Sequence, residues 1–295
     1  MVANVNPAHR SEASQSAKSS LWLWLRVSAV VLGMGALALI AIAAWFFFAQ
    51  HSMIYHPRPY TAAYAKVLPT NGLEIEYSLP FGKQTAFYVG TRHDAVKRVW
   101  IAFCGNGSLA LDWVRVFQGY PSNGDGFLLV DYPGYGKSSG YASIDSTRVA
   151  ANGALSALIK QLGISEERIS ICVIGHSLGA AAALDFATHH VIERAVLISP
   201  FTTLREEAAH VVGGPLSHLL VENYDNRKNL RALLQKNPNA RIAIFHGTAD
   251  ELISVQMGRS LKEDFPAIDF FAVEGADHGT VVHFAKDKVI AWMTR

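Results

Sequence analysis

The sequence predicts an α/β protein with one large domain, built on a mostly parallel sheet and preceded by a single transmembrane helix. Short apolar runs alternate with longer amphipathic stretches, which is typical of a parallel sheet covered by helices on both faces. Of the 295 residues, 50% are hydrophobic and 17% are charged. This composition suits one large core and excludes a disordered chain. An uncharged apolar stretch near the N-terminus is long enough to cross a membrane.

Charge and cysteine content exclude several other classes of protein. With 26 basic and 24 acidic residues the formal net charge is +2, so no strong electrostatic field favours nucleic acid as a partner. Two cysteines cannot build a disulfide-dense scaffold or a four-cysteine zinc site. The sequence also lacks a His-Glu-x-x-His motif and a complete phosphate-binding loop. We therefore expect neither a metal nor another cofactor.

The N-terminal region divides into a polar tail and an apolar span. Residues 1–20 are small and polar, and we interpret them as a disordered tail. Residues 21–49 hold one charge, Arg26, and as a helix the uncharged part spans about 34 Å, which matches a hydrocarbon core. A signal peptide cleaved near residues 41–43 competes with this interpretation, but its apolar region is usually about 7–15 residues long. The length therefore favours an uncleaved membrane anchor over 21–49.

Residues 50–295 form the predicted catalytic domain, in which eight runs have the pattern of strands. The first two follow each other without a helix between them, which indicates an antiparallel hairpin at the edge of the sheet. Helix-like stretches with one apolar face follow at Ile144–Leu162 and His278–Trp292. The strand-like runs are Glu74–Ser78, Thr85–Gly90, Val99–Phe103, Phe127–Asp131, Ile169–Ile174, Ala195–Ser199, Arg241–Phe245 and Phe270–Val273.

One connection is longer than the others and is broken by Gly213-Gly214-Pro215. Residues 202–239 therefore form either a small helical lid over a site or an ordinary crossover with two short helices.

The motif Gly175-His176-Ser177-Leu178-Gly179 carries the predicted chemistry. It follows an apolar strand and precedes an alanine-rich helix, which is the context of a nucleophile elbow. The tight turn requires small residues two positions before and two positions after the serine, and glycine meets that requirement. Ser177 is thus the predicted nucleophile, and it needs a base to activate its hydroxyl.

The expected chain order after the serine is an acid and then a histidine. His278 follows the last strand and opens on the same sheet edge as the elbow, so we predict it as the base. Asp250 follows the preceding strand and is the predicted acid, which stabilises the imidazolium. Glu251 and Asp277 are its rivals, although the side chain of Asp277 is expected to point away from the adjacent imidazole.

A tetrahedral intermediate needs two backbone N–H donors for its oxyanion. The first predicted donor is Leu178, the residue after the nucleophile. The second is Asn106, in the glycine-containing loop 104–108 that follows an earlier strand.

Taken together, these motifs resemble those of the α/β-hydrolase superfamily over roughly residues 70–295. Within it, the chain is similar to the membrane-anchored Bem46 and ABHD13-like hydrolases and their relatives ABHD12 and ABHD17. The resemblance implies an α/β-hydrolase fold with a mostly parallel eight-stranded sheet, helices on both faces and a small helical lid. It also implies a serine hydrolase whose relatives act on acyl esters, lysophospholipids, acylglycerols or thioesters. The motifs that carry it lie at 104–107, 131–140, 175–179, 199–201, 246–250 and 277–279.

We predict a membrane-anchored serine hydrolase that cleaves carboxylic acyl esters or thioesters through an acyl-enzyme on Ser177, with a small-molecule or lipid substrate. Two other interpretations stay open. An aminopeptidase-like relative would bind a free amine through acidic groups such as Glu206, Glu207 and Glu222. A catalytically silent hydrolase fold would serve as an interaction module at the membrane.

Two observations bear on the compartment. A small excess of basic residues before the apolar span favours a cytoplasmic N-terminus and an external catalytic domain. The only glycosylation sequon, Asn106-Gly107-Ser108, lies in the predicted oxyanion loop, where a glycan would block the site. We therefore predict a single-pass inner-membrane protein with its catalytic domain in the periplasm. A cytosol-facing domain in a eukaryote is the alternative.

Overall fold

The computed structural model describes residues 7–91, 95–121 and 124–295. It divides the chain into two compact units, Met1–Gln50 and His51–Arg295. The second unit carries the sheet and every predicted site residue.

Helix α1, Pro7–Ile54, is the first element. Its segment Trp22–Ile54 has 33 residues and contains an 18-residue window with a mean hydropathy of 2.5, so by length and composition it is able to cross a membrane. The helix begins earlier than the sequence predicts: residues 7–20 are helical where we expect a disordered tail, and residues 1–6 lie outside the described residues. After Pro7, which suits the first turn of a helix, this stretch contains no glycine or proline to interrupt it.

All eight predicted runs are strands of one sheet, whose spatial order is β1-β2-β4-β3-β5-β6-β7-β8. β1 and β2 form the predicted antiparallel edge hairpin, and β2 is also antiparallel to β4. The remaining neighbours pair in parallel. The strands are β1 Leu73–Leu79, β2 Gly82–Gly90, β3 Arg98–Phe103, β4 Asp125–Val130, β5 Ser170–His176, β6 Ile192–Ile198, β7 Arg241–Gly247 and β8 Asp269–Val273.

The central strands are apolar at nearly every position because helices cover both faces of the sheet. β4 is buried along its whole length, and β3 and β5 are buried except at their ends. Trp100 and Phe245 are among the largest fully buried side chains. Since β3 to β8 run in parallel, their C-terminal ends meet at one edge, which we call the carboxyl edge.

Helix α3, Ile144–Leu162, has the predicted bounds. The hydroxyl of Ser143 caps its start by accepting from Ser146 N at 3.0 Å, and Gly163 ends it in the left-handed conformation, with φ 65°. The predicted helix His278–Trp292 is divided into two. The other helices are α2 Trp113–Val116, α4 Leu178–Ala187, α5 Leu204–Val212, α6 Gly214–Ser217, α7 Asn226–Lys236, α8 Val255–Asp264, α9 Val281–Phe284 and α10 Lys286–Met293.

The long connection after β6 consists of α5, α6 and α7. Gly213, with φ 85°, separates α5 from α6, as the Gly-Gly-Pro run predicts. Thr203 caps the start of α5, because its hydroxyl accepts from Glu206 N at 3.0 Å. The segment leaves the sheet at the carboxyl edge, directly after β6.

Candidate active site

Ser177 occupies the sharp turn between β5 and α4. Its backbone has φ 59° and ψ −124°, a combination that non-glycine residues rarely adopt. Ser177 N donates to Ile198 O at 2.9 Å, which ties the turn to the neighbouring strand. The strained turn lifts the serine hydroxyl to the carboxyl edge, as a nucleophile elbow does.

The two glycines of the motif are required by close backbone contacts. A methyl group added at Gly175 would lie 2.0 Å from Gly179 O, and one added at Gly179 would lie 2.2 Å from Phe103 O. Backbone atoms cannot yield at such distances, so only glycine fits either position.

The three side chains predicted from the sequence are hydrogen bonded in series. His278 Nε2 lies 2.9 Å from Ser177 Oγ, and His278 Nδ1 lies 2.8 Å from Asp250 Oδ2. They come from the ends of three different strands, β5, β7 and β8, and are separated by up to 101 positions along the chain. In this arrangement the protonated Nδ1 of His278 donates a hydrogen bond to Asp250, and the unprotonated Nε2 can accept the proton of the serine hydroxyl.

Asp250 is held rigidly by the loop that follows β7. Its Oδ1 accepts from Leu252 N at 3.1 Å and from Ile253 N at 2.8 Å, which leaves Oδ2 for His278. Burial raises the pKa of this carboxyl, but the hydrogen bonds from His278 and Ile253 outweigh it and hold the pKa below its usual value. The group is therefore a carboxylate at neutral pH.

The two rival acids lie elsewhere. Asp277 Oδ1 accepts from Gly279 N and Thr280 N, at 2.9 and 2.8 Å, so its carboxylate closes its own turn. Glu251 is exposed to solvent. Among the acids considered from the sequence, Asp250 is the one within hydrogen-bonding distance of His278.

Two further histidines lie beside this series. His176, inside the elbow motif, donates from Nε2 to His278 O at 3.0 Å, and burial together with the nearby His278 lowers its pKa to about 3. His246 is fully buried and donates from Nε2 to Ile253 O at 2.9 Å. The two rings hold the loops that carry His278 and Asp250, respectively. His176 was not predicted, although its place in the elbow motif was a usable signal.

The predicted oxyanion donors lie on both sides of the nucleophile. Leu178 begins α4, and no acceptor contacts its N–H among the described residues. Asn106 lies in the loop 104–108 after β3; a methyl group added at the adjacent Gly105 would lie 3.7 Å from Ser177 Cβ. The loop that carries Asn106 is thus close to the nucleophile, as the predicted oxyanion hole requires.

The buried carboxylate of Asp131 holds the segment that follows this loop. Its Oδ1 accepts from Ala110 N at 2.8 Å, and its Oδ2 accepts from Tyr60 Oη at 2.7 Å. Burial raises the pKa of Asp131 to about 6, against the lowering effect of these two hydrogen bonds. These contacts indicate a structural role for this residue.

A comparison with protein-family models agrees with the fold and the elbow. The model of the alpha/beta hydrolase family matches residues 102–241, which include the end of β3, the elbow and the first residue of β7. Over this part the chain is similar to that family, and it has the α/β-hydrolase fold.

Curated relatives match part of the chain. An uncharacterised protein of Mycobacterium tuberculosis is 31% identical over 135 residues, which cover 45% of this chain and 46% of the relative. Alpha/beta hydrolase domain-containing protein 17C of Homo sapiens is 29% identical over 163 residues, which cover 53% of this chain and 45% of the relative. The chain thus spans about half the length of the curated relatives it matches.

Solved α/β-hydrolase structures match most of the chain. An esterase of Pyrococcus furiosus superposes with a TM-score of 0.61 at 20% identity, covering 82% of this chain and 97% of the esterase. A thioesterase domain from the curacin biosynthetic pathway superposes with a TM-score of 0.55 at 12% identity, covering 77% of this chain and all of that domain. At such identities the likeness establishes the fold.

Proposed function

We propose that the protein is a membrane-anchored serine hydrolase that cleaves carboxylic acyl esters or thioesters through an acyl-enzyme on Ser177. The observation that carries the proposal is the hydrogen-bonded series from Ser177 Oγ to His278 and on to Asp250, at 2.9 and 2.8 Å. A nucleophile, a base and an orienting acid at these distances are what acyl transfer requires.

The reaction follows from this geometry. His278 Nε2 accepts the hydroxyl proton while Ser177 Oγ attacks the acyl carbonyl, and Asp250 stabilises the imidazolium that forms. The N–H groups of Leu178 and Asn106 receive the oxyanion. The imidazolium then protonates the leaving alcohol or thiol, which leaves an acyl-serine. Water, deprotonated by the same imidazole, hydrolyses this intermediate and regenerates the enzyme.

Membrane anchoring is supported by the 33-residue segment Trp22–Ile54, which contains an 18-residue window with a mean hydropathy of 2.5 and has an exposed apolar surface. In this proposal the chain comprises the anchor, the hydrolase domain from about residue 50 and a small lid within 202–239. The catalytic domain faces the periplasm, as the basic residues before the span suggest. The substrate is an acyl ester or thioester, either of a lipid or of a small molecule.

The aminopeptidase-like alternative loses support from the contacts of its acidic residues. Glu206 accepts from Arg227 at 2.8 Å, and Glu222 accepts from Tyr55 Oη at 3.0 Å and from Ile144 N at 2.9 Å. These carboxylates are therefore engaged within the protein. Burial raises the pKa of the third candidate, Glu207, so it is a weaker binding group for an ammonium ion.

Replacement of the nucleophile tests the proposal. Ser177→Ala should lower kcat for p-nitrophenyl butyrate by about 10⁶-fold, because nothing else in the site can form the acyl-enzyme. It should also abolish labelling by a fluorophosphonate probe, and His278→Ala should be about as damaging. Near-normal turnover by Ser177→Ala would refute the assignment. A folded wild-type protein that takes up no probe would favour the silent-fold interpretation.

A further inference from the structure

The last turn of α1 and the segment after it run across the loops of the carboxyl edge. We call residues 51–60 the junction strap. It contacts the loops after β3 and β4 and the connection after β6, all on the edge that carries Ser177. Its hydrogen-bonded partners in these loops are Ala142 for His51, Glu222 for Tyr55, Gly136 for Arg58 and Asp131 for Tyr60.

His56 is the strap residue that meets the oxyanion loop. Its ring Nδ1 accepts from the side-chain Nδ2 of Asn106 at 3.1 Å, and its backbone N–H donates to Asn106 O at 3.3 Å. The same N–H donates to Tyr135 Oη at 2.7 Å, and that hydroxyl donates to Asn106 O, also at 2.7 Å. The strap thus holds Asn106 both directly and through Tyr135.

The oxyanion loop needs such support because its own sequence gives it little rigidity. Gly105 and Gly107 flank Asn106, and glycine restricts the backbone least of all residues. Within the loop, Ser108 N donates to Gly105 O at 3.1 Å and Cys104 Sγ donates to Ser108 O at 3.3 Å, and neither hydrogen bond involves Asn106. A backbone donor contributes to catalysis only if it is already oriented when the oxyanion forms. Groups that are hydrogen bonded to Asn106 therefore control the orientation of its backbone N–H.

We propose that His56 is a positioning residue for the oxyanion hole, which acts with Tyr135 to hold Asn106 in its donating orientation. The inference rests on the proposed function, since it takes Asn106 N–H as an oxyanion donor. His56 itself does not touch the reacting atoms. Its position two residues after the end of α1 makes the junction with the apolar helix part of the catalytic machinery.

Substitution of His56 separates positioning from folding. The ring is exposed, so its loss removes a solvent-accessible hydrogen bond and creates no cavity, and the melting temperature should not change. In His56→Ala we expect kcat for p-nitrophenyl butyrate to fall about 10-fold with KM unchanged. This is a fraction of the roughly 10²–10³-fold that loss of a whole oxyanion donor costs. Tyr135→Phe, which removes the bridging hydroxyl, should act in the same direction.

A conservative variant and a control complete the series. In His56→Asn the side-chain Oδ1 occupies the position of the ring Nδ1 and accepts from the same amide, so kcat should recover. His189→Ala is the matched control, because this exposed histidine follows the C-terminal end of α4, at the opposite edge of the sheet from the elbow. It should retain wild-type kcat and KM.

The affinity for a transition-state analogue distinguishes positioning from a purely structural role, because loss of structure alone would not change the inhibition constant of the folded enzyme. A trifluoromethyl ketone adds to the nucleophile and places an oxyanion in the hole. Its inhibition constant, measured on full-length enzyme in detergent, should rise in His56→Ala by the same factor as kcat falls. Titration of active sites with the fluorophosphonate probe normalises both values to the folded enzyme present.

The outcomes are distinguishable. If Ser177→Ala is inactive while His56→Ala keeps wild-type kcat and inhibitor affinity, the positioning role is overturned and the proposed function stands. If kcat per titrated site and inhibitor affinity fall together and His56→Asn restores them, the positioning role is supported. If Ser177→Ala remains active, the proposed function and this inference are both overturned.

Discussion

At the scale of single residues, hydrogen bonds choose between groups that the sequence leaves as rivals. Asp250 and Glu251 are adjacent in the chain, and both are carboxylates. Asp250 is 7% exposed and bonded to His278 at 2.8 Å, whereas Glu251 faces solvent. The side chain whose negative charge is buried against the imidazole is the one that can stabilise an imidazolium.

We predict that Asp250→Asn lowers kcat for p-nitrophenyl butyrate by about 10⁴-fold, since the amide favours the wrong histidine tautomer while preserving the shape of the site. Glu251→Gln is the matched control and should keep wild-type kcat. Steady-state kinetics on the two variants decide the matter. A fully active Asp250→Asn together with an inactive Glu251→Gln would reverse the choice of acid.

Asp131 makes stability depend on pH. Its pKa is raised by burial to about 6, so the folded state holds the proton more tightly than the unfolded state, whose pKa is about 3.9. As pH rises from 4 to 7, the unfolded chain ionises first, and this residue's contribution to the free energy of unfolding falls by about 2 kcal/mol.

Asp131→Asn has no proton to lose. Relative to wild type, its free energy of unfolding should therefore increase by about 2 kcal/mol between pH 4 and pH 7. Urea unfolding in detergent at the two pH values measures this difference. Asp145→Asn, at a carboxylate whose side chain is 84% exposed, is the control and should show no comparable change. Parallel pH profiles for Asp131→Asn and wild type would contradict the prediction.

At the scale of elements, the connection after β6 is held by exposed ion pairs and by a buried hydrogen bond, which differ in how much they stabilise it. Arg227 at the start of α7 bridges Glu206 of α5 and Asp264 of α8, at 2.8 and 2.7 Å, but all three side chains are 32–50% exposed. The neighbouring Asn226 is fully buried and donates to Phe201 O at 2.8 Å. Solvent screens the ion pairs, while the buried amide has no water to replace its partner.

Arg227→Met should therefore lower the free energy of unfolding by less than about 1 kcal/mol. Asn226→Ala should lower it by about 1–3 kcal/mol, because Phe201 O then lacks a partner. Urea denaturation of both variants at one pH tests the order. A larger loss in Arg227→Met than in Asn226→Ala would show that the ion pairs dominate.

At the scale of the whole molecule, the side of the membrane on which the catalytic domain lies is constrained by a residue of the oxyanion loop. Asn106 is both the sequon asparagine and the residue whose side-chain amide donates to His56 at 3.1 Å. A glycan on that amide would disrupt this contact as well as crowd Ser177. We therefore expect the catalytic domain in the bacterial periplasm or at a cytosolic surface rather than in a glycosylating lumen.

A C-terminal reporter in a bacterial host tests the orientation. We predict that an alkaline phosphatase fusion is active and that a green fluorescent protein fusion is dark, because the small excess of basic residues before the span keeps the N-terminus in the cytoplasm. The reverse pattern would place the catalytic domain in the cytoplasm. It would also direct the substrate search to cytoplasmic-leaflet lipids or acylated proteins.

The sequence by itself determined the strand pattern, the elbow and the chemical types in the site. Alternating apolar runs are dictated by burial on both faces of a sheet, and Gly175 and Gly179 by the steric limits of one local turn. Such features depend on residues that are close in sequence. The bounds of α3 agree for the same reason, since its cap and its terminal glycine are local signals.

The tertiary structure alone decided how distant groups meet. The local chain around Asp250 and Asp277 does not reveal which carboxylate reaches His278, because the answer depends on how two loops pack across the carboxyl edge. Nor does the sequence place His56 against Asn106, 50 positions away. Hydrogen bonds are directional and act over about 3 Å, so partners far apart in the chain are specified only once the fold has brought their loops together.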